Sequence, residues 1–423
     1  MSHNPAETRA FLSALFRQAV AAADSRAAIR ANLPRRPQGR TLVIAFGKAA
    51  SSMAAIFEEE WDGPLEGVIV DRHGAAPLPT GLRRFSAAHP VPDLAGLAAG
   101  QAVLDLLATT TDQDLVVVLA SGGGSALLPA PAAGMTFEDE VEVNRRLLVS
   151  GLAIDEMNLI RAHLSALKGG ALTAAARPAR VVTFVASDIP GDDVALVSSG
   201  PTFRIRRSAA EALEVVRGRG LVLPPRALAR LQDLSQGVVK DLPREDGDDY
   251  HLTASAGLSL RAAADEARRQ GVAAVILSDA LEGEAAILGR EQGVLARQCR
   301  RTGAPYRAPV VLLSGGETTV RLDSEHGEGG RNTEYLLALA LEIEGLEGVH
   351  ALAADTDGID GSQNNAGAFA DGGSVRRMEG AGMSARAALQ RHDAYSAFAA
   401  AGDLFVTGPT GTNVNDFRAI LIG

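Results

Sequence analysis

Short apolar runs rich in β-branched residues recur along this chain, and stretches of helical periodicity separate them. The runs fall at 41–46, 67–70, 115–120, 181–186, 273–277, 310–313, 350–354 and 403–406. Most are continuously apolar rather than alternating, as in Leu42, Val43, Ile44, Ala45 and Phe46. Strands of that kind are buried on both faces, which a mainly parallel sheet covered by helices provides. Helical patterns at 96–107, 137–150, 154–167, 209–216, 255–269, 283–300 and 333–344 lie between them. The expected fold class is α/β.

A length of 423 residues predicts two domains or three, at about 100–200 residues each. The stretch 237–249 is charged, lacks apolar periodicity and contains Pro and Gly, so it marks a boundary. The expected division is 1–240 and 241–423. A helix opens the chain: Asn4 is a candidate cap, Pro5 sits at its first position, and Phe11, Leu12, Leu15, Phe16 and Ala19 share a face. That segment carries charges throughout and lacks the apolar core of a secretory leader. The longest uncharged run, 115–137, is broken by glycines and prolines and does not read as a membrane span. The expectation is a cytoplasmic protein without a membrane partner.

A net charge of -10 argues against nucleic acid as the partner, because phosphate neutralisation needs clustered Lys and Arg. A small anionic substrate stays open, since only the local potential matters. Cys299 is the single cysteine, which excludes an intrachain disulfide and a cysteine-based zinc site. The basic residues number 41, yet only Lys48, Lys168 and Lys240 are lysines. A lysine in so arginine-rich a chain suggests a need for a compact ammonium.

Ligands of open parallel sheets bind beyond the carboxyl ends of strands. Here those ends carry clusters. Gly47-Lys48 follows the first run, and Lys48 could bring a point charge to a phosphate; the plain alternative is a surface lysine. Ser121, Gly122, Gly123, Gly124 and Ser125 follow the run at 115–120. Consecutive glycines let backbone N–H groups converge on an anion, although an ordinary strand-exit turn has a similar composition. Ser314, Gly315, Gly316, Glu317, Thr318 and Thr319 form a second such candidate. Asp188, Asp192 and Asp193 and then Asp355, Asp357 and Asp360 offer carboxylates in glycine-rich loops, for Mg²⁺, for a base or simply for Asx turns. Arg331 and Asn332 open a helix, where the Arg could clamp an anion and the Asn could cap. His89, within His89-Pro90-Val91-Pro92, is read as structural. A Walker A loop, a G-x-G-x-x-G fingerprint and a kinase H-R-D loop are all missing from the sequence.

Taken together and in this order, the clusters resemble the glycerate 2-kinases of the MOFRL type, which combine DUF4147 and MOFRL domains; some are also described as hydroxypyruvate reductases. The matching stretches include Gly47-Lys48-Ala49-Ala50, Ser121 to Leu127, Asn158 to Arg161, Lys168-Gly169-Gly170, Ser187 to Asp193, Ser199-Gly200-Pro201-Thr202, Ser314 to Thr318, Gly329 to Asn332, Thr356 to Gly361 and Gly408 to Asp416. The resemblance implies an N-terminal Rossmann-like α/β/α domain, a C-terminal α/β MOFRL domain and an active site in the cleft between them. It implies ATP- and Mg²⁺-dependent phosphorylation of D-glycerate to 2-phosphoglycerate, with a homodimer left open. The family's catalytic lysine maps onto Lys48 and its arginine onto Arg331. Two positions depart from the family pattern: Thr333, where Gln is usual, and Asp71-Arg72-His73-Gly74, where a Gly more often precedes the His-Gly pair.

Phosphoryl transfer needs alignment and charge stabilisation more than covalent chemistry. On this reading Lys48 and Arg331 flank the transferring γ-phosphoryl. Ser121, Gly122, Gly123, Gly124 and Ser125 hold either the glycerate carboxylate or a nucleotide phosphate. Ser314, Gly315, Gly316, Glu317, Asn332 and Asp357 complete the binding set. Asp188 and Asp193 hold Mg²⁺, or Asp188 orients the substrate hydroxyl. The alternatives are an NAD(P)H-dependent hydroxypyruvate reductase, which lacks its dinucleotide fingerprint here, and a non-catalytic sensor of glycerate or nucleotide.

Overall fold

The computed structural model describes residues 4–75, 80–322 and 326–423. It divides into two compact units: Ser25–Ile189 with Asp193–Thr253, and Met1–Asp24 with Pro190–Asp192 and Ala254–Gly423.

The first unit carries six strands: β1 (Thr41–Phe46), β2 (Glu66–Arg72), β3 (Arg83–Ala87), β4 (Leu115–Ser121), β5 (Arg180–Ala186) and β6 (Asp249–Ala254). Their order in space is β3-β2-β1-β4-β5-β6, and the sheet is parallel throughout. Every residue of β1 and β4 is buried, as their continuous apolar runs require. The period of two divides these residues between faces. Leu42, Ile44, Val116 and Val118 join the helix Leu94–Leu107 through Ala99 and Val103. Val43, Ala45, Val117 and Leu119 join the helix Ala50–Glu60 through Met53, Ala54 and Phe57. Each large aliphatic side chain buried this way contributes about 1.5–3 kcal/mol. A separate helical layer packs around Val143, Leu159, Leu213 and Leu231.

The second unit holds β7 (Ala273–Glu284), β8 (Val310–Thr319), β9 (Val349–Asp355), β10 (Gly367–Asp371), β11 (Leu404–Phe405) and β12 (Asp416–Ile422) in the order β11-β10-β9-β12-β8-β7. Only the β7–β8 pairing is parallel; β12 runs antiparallel to both β8 and β9. The mainly parallel expectation therefore fits the first sheet, whereas the second is mixed. The sequence reading passed over β3, β6, β10 and β12. It placed β6 at the end of a linker, and in β12 the charged Asp416 and Arg418 masked an apolar run.

The first helix, Pro5–Ala22, begins as expected, with Asn4 Oδ1 accepting from the Ala6 N–H at 3.1 Å. Its apolar face packs on Leu260, Ala263, Ala264 and Ala267 of the helix Ala256–Arg269, within the second unit. Phe16 meets Phe405 and Phe417 edge to face, at 5.2 and 5.7 Å between ring centres. The chain thus changes unit near Asp24, briefly at Pro190–Asp192 and again near Thr253, whereas the expectation from sequence has one boundary between 240 and 241. The return of a leading helix to a distant part of the chain leaves no local mark.

Candidate active site

In the first sheet the chain leaves β1 toward β2 and β3, then returns to place β4 on the other side of β1. The carboxyl ends of β1 and β4 are therefore neighbours at the topological switch point. Lys48 and the Ser121–Ser125 segment both sit there. The Lys48 backbone N–H donates to the Gly122 carbonyl at 2.9 Å. Ser121 is buried; its hydroxyl donates to the Phe46 carbonyl at 3.3 Å and accepts from the Ala49 N–H at 3.0 Å. That side chain fastens the two strand exits together.

The glycines of the loop are required by close approach. A Cβ at Gly122 would fall inside the Asp188 carboxylate, and one at Gly124 inside the Ser198 hydroxyl. Gly123 has φ +87, and a Cβ there would lie 3.1 Å from the His89 ring. Asp188, His89 and Ser198 thus border the loop. Ser198 Oγ donates to the Ser121 carbonyl at 2.7 Å. Ser198 and Ser199 have φ of 54 and 62, two successive non-glycine residues in the left-handed region. Such strain persists where the surroundings over-determine it, often at functional sites.

The Lys48 side chain is exposed, and among the described residues no carboxylate lies within ion-pair distance of its ammonium. Lys168 differs: it is buried and paired with Glu140 at 3.0 Å, a structural use of a rare lysine. His89 is held below its ordinary value by burial, then by the positive charges of Lys48 and Arg72. Asp193 is exposed, and its Oδ1 accepts from the Ala195 N–H at 3.0 Å, as in an Asx turn. Asp192 belongs to the second unit, where the Ser255 hydroxyl donates to it at 2.7 Å.

The second unit gathers Arg331, Asn332, Glu317, Asp355, Asp357 and Asp360, together with Asp416 and Arg418. Arg331 donates through Nε to Asp416 at 2.6 Å, through Nη2 to Asp355 at 2.7 Å and through Nη1 to Glu317 at 2.9 Å. Burial alone would lower the Arg331 pKa, but the three carboxylates around it outweigh burial and hold it above its ordinary value. Asp416 also accepts from Asn332 Nδ2 at 2.9 Å, from Thr318, and from Arg418. Burial is the main cause that pushes Asp355 up to about 8, with Asp357 and Asp416 adding to it against Arg331. Asp360 is buried at the start of the helix Arg331–Glu342, where it accepts from the backbone N–H groups of Asn332 and Thr333 at 2.9 and 2.8 Å. Thr333, one of the departures from the family pattern, is fully buried and donates to Asp360 at 2.8 Å. In the other departure, buried Asp71 accepts from Arg84 at 2.8 Å and from Ser51, while His73 contacts Asp93 at 2.7 Å.

One candidate needs correction. Ser314, Gly315, Gly316, Glu317, Thr318 and Thr319 are not a loop but the second half of β8. The ladders to β12 and β7 hold this segment on both sides, through Gly316↔Asp416 and Thr319↔Glu284. Ser314 is buried against Gln292, and Arg418 takes up the Gly315 carbonyl. Only Glu317 and Thr319 of this group are exposed. The sequence reading left Asp416, Arg418, Ser198 and Asn158 out of the site. A charged pair inside an apolar strand was the available signal for Asp416 and Arg418, because such residues are almost never buried unpaired. Among the described residues, no group of three or more His, Cys, Asp or Glu side chains is disposed to hold a metal.

Comparison with known proteins agrees with this layout. Residues 11–232 match the model of a domain of unknown function, DUF4147, and residues 310–416 match the MOFRL family. A relative from Agrobacterium vitis, provisionally named a hydroxypyruvate reductase, is 46% identical over 100% of this chain and 96% of its own. The D-glycerate 2-kinase of Thermotoga maritima is 33% identical over 93% of this chain and 94% of its own. A crystal structure of glycerate kinase from that organism superimposes with a TM-score of 0.88 at 32% identity, covering 99% of this chain and 100% of the other. With both domain models in order and relatives matched along nearly its whole length, this chain belongs to the glycerate kinase family built from DUF4147 and MOFRL domains.

Proposed function

We propose that this protein is a glycerate 2-kinase, moving the γ-phosphoryl group of ATP to the 2-hydroxyl of D-glycerate to give 2-phosphoglycerate and ADP. The observation that carries the reading is the switch point of the parallel sheet. There Lys48, an exposed ammonium with no carboxylate within ion-pair distance among the described residues, stands beside a loop whose glycines let Asp188, His89 and Ser198 close in on the strand exits. Phosphoryl transfer asks for positive charge and positioned polar groups of this kind. Lys48 supplies charge to the phosphoryl oxygens. Arg331 is the second candidate cation, with two of its five N–H groups beyond the three bonds it makes.

Mg²⁺ is implied by the family. It takes one or two carboxylates and completes its shell with phosphate oxygens and water. Asp188, whose carboxylate fills the place of a Cβ at Gly122, fits that requirement, and Asp193 is the further candidate. The ion would neutralise phosphate charge; aligning the reacting hydroxyl falls to this chain's own groups.

The name carried by the 46% identical relative supports a second reading, the reduction of hydroxypyruvate with a nicotinamide cofactor. The sequence lacks a G-x-G-x-x-G fingerprint, which weighs against it. One assay separates the two. Purified protein is given D-glycerate, ATP and Mg²⁺, and the product goes directly to enolase without phosphoglycerate mutase. Phosphoenolpyruvate is the expected outcome. ADP without phosphoenolpyruvate would move transfer to the 3-hydroxyl or to water. NADH oxidation on hydroxypyruvate without any ADP would overturn the kinase reading.

A further inference from the structure

The loop at the switch point is backed by a chain of buried hydrogen bonds whose direction can be deduced. Arg161 Nη1 donates to Asn158 Oδ1 at 3.3 Å, and Asn158 Nδ2 donates to the Leu196 carbonyl at 2.9 Å. A guanidinium only donates and a carbonyl only accepts, so these two contacts fix the Asn158 amide from both ends. Ser199 Oγ lies 2.7 Å from Asn158 Oδ1 and must donate to it. The one proton of the Ser199 hydroxyl is then used. Ser125 Oγ lies 2.7 Å from Ser199 Oγ, so Ser125 is the donor in that contact. Its own proton points back into the protein.

We infer that Ser125 meets its ligand as a hydrogen-bond acceptor, and that the ligand group it takes is a hydroxyl of the hydroxy-acid substrate rather than a phosphate or carboxylate oxygen. A donor-rich loop favours anions; Ser125, half-buried with only lone pairs to offer, repels an anionic oxygen and welcomes an O–H. Ser199 and Asn158 are positioning residues that set this polarity, and the left-handed backbone at Ser198 and Ser199 presents the Ser199 hydroxyl to both neighbours. The inference rests on the kinase reading and narrows it: the Ser121–Ser125 side of the site receives the hydroxy acid.

The test compares wild type with Ser125→Ala by calorimetric titration of D-glycerate, D-lactate, 3-hydroxypropionate and inorganic phosphate. The two deoxy acids each lack one hydroxyl of glycerate. The expected result is D-glycerate weakened about three- to tenfold, one deoxy acid bound equally by both proteins, and phosphate unchanged. Equal weakening of all four ligands, or of none, overturns the inference while leaving the kinase reading in place. Wild-type protein that binds neither D-glycerate nor its analogues overturns both. Ser199→Ala supplies the second readout. It releases the Ser125 proton to turn outward, so the preference for D-glycerate over phosphate falls; an unchanged preference refutes the positioning role.

Discussion

Replacing Asp416 by Asn removes one negative charge from the centre of the Arg331 cluster. Asp416 is fully buried, and both of its oxygens face donors only. Oδ1 accepts from Arg331 Nε at 2.6 Å and Asn332 Nδ2 at 2.9 Å. Oδ2 accepts from the Thr318 N–H at 3.1 Å, the Thr318 hydroxyl at 3.2 Å, and Arg418. Whichever way the new amide turns, its NH₂ meets donors. Removing one partner of a buried ion pair costs about 3–5 kcal/mol. For a folding unit of this size each kcal/mol moves Tm by about 2–4 °C, so the expected loss is about 6–20 °C. The control is Glu317→Gln. Glu317 pairs with the same Arg331, but its side chain is 58% exposed, and a pair screened by water is worth about 0–1 kcal/mol. Scanning calorimetry of both variants at pH 7 reads the difference. A Tm loss for Asp416→Asn no larger than that for Glu317→Gln would refute the assignment of Asp416 as the buried hub.

Lys48→Ala should raise the His89 titration toward its ordinary value, since the Lys48 charge helps to depress it; NMR of the imidazole shows this, and no movement would separate the two side chains. Because the folded His89 value is lowered, its stabilising contribution is present above about pH 6.5 and is lost as pH falls through the folded value. Asp355 works the opposite way: its raised value makes its contribution whole below about pH 4, to be lost as pH rises through about 8. Tm should therefore fall between about pH 4 and 8 and level off above it, and Asp355→Asn should flatten that fall. Arg331→Lys should lower Tm by several degrees while Lys48→Arg leaves it within about a degree, because a single ammonium cannot span three carboxylates.

In the first unit β1, β2, β4 and β5 were legible as apolar runs, whereas β3 and β6, with exposed polar residues, were not; the switch-point cluster stood out because it follows a strand. Lys48 and the glycines Gly122 to Gly124 lie at the strand exits as expected from their place after a strand. Ser121 lies there too, and its hydroxyl is bonded to Phe46 and Ala49, which composition does not reveal. The Ser314–Thr319 segment shows the reverse failure. Its Ser and Gly content reads as a loop, yet strands far away in sequence pair with it on both sides and override the local preference. Asp416 and Arg418 are neighbours within β12, but Arg331, Thr318 and the Gly315 carbonyl meet them only once β12 lies between β8 and β9, and that order is not written locally. The first helix was read correctly in its caps and apolar face, while its place against Leu260 and Ala264 depended on a contact across most of the chain.

On the proposed kinase reading, the two candidate cations are in different electrostatic states, and that difference would give them different tasks. Around Arg331 stand the buried Asp355 and Asp416 and the exposed Glu317, so its charge is already balanced within the protein. If a phosphate binds here as proposed, it would share the guanidinium or displace the exposed member, Glu317, whose bond is the weakest of the three by burial. Lys48 carries its charge into solvent; its backbone is pinned to Gly122, and among the described residues no carboxylate pairs with its ammonium. Charge stabilisation of a developing anion depends on cations that are preorganised and not already neutralised. Lys48 meets the second as it stands; the Gly122 bond fixes its backbone, not the flexible four-carbon stem that carries the charge. Arg331 meets the first through its three anchors, and it meets the second only when Glu317 lets go. A Glu317→Gln variant thus bears on ligand access to Arg331, whereas Lys48→Ala bears on the charge itself. The two substitutions separate these tasks within one protein.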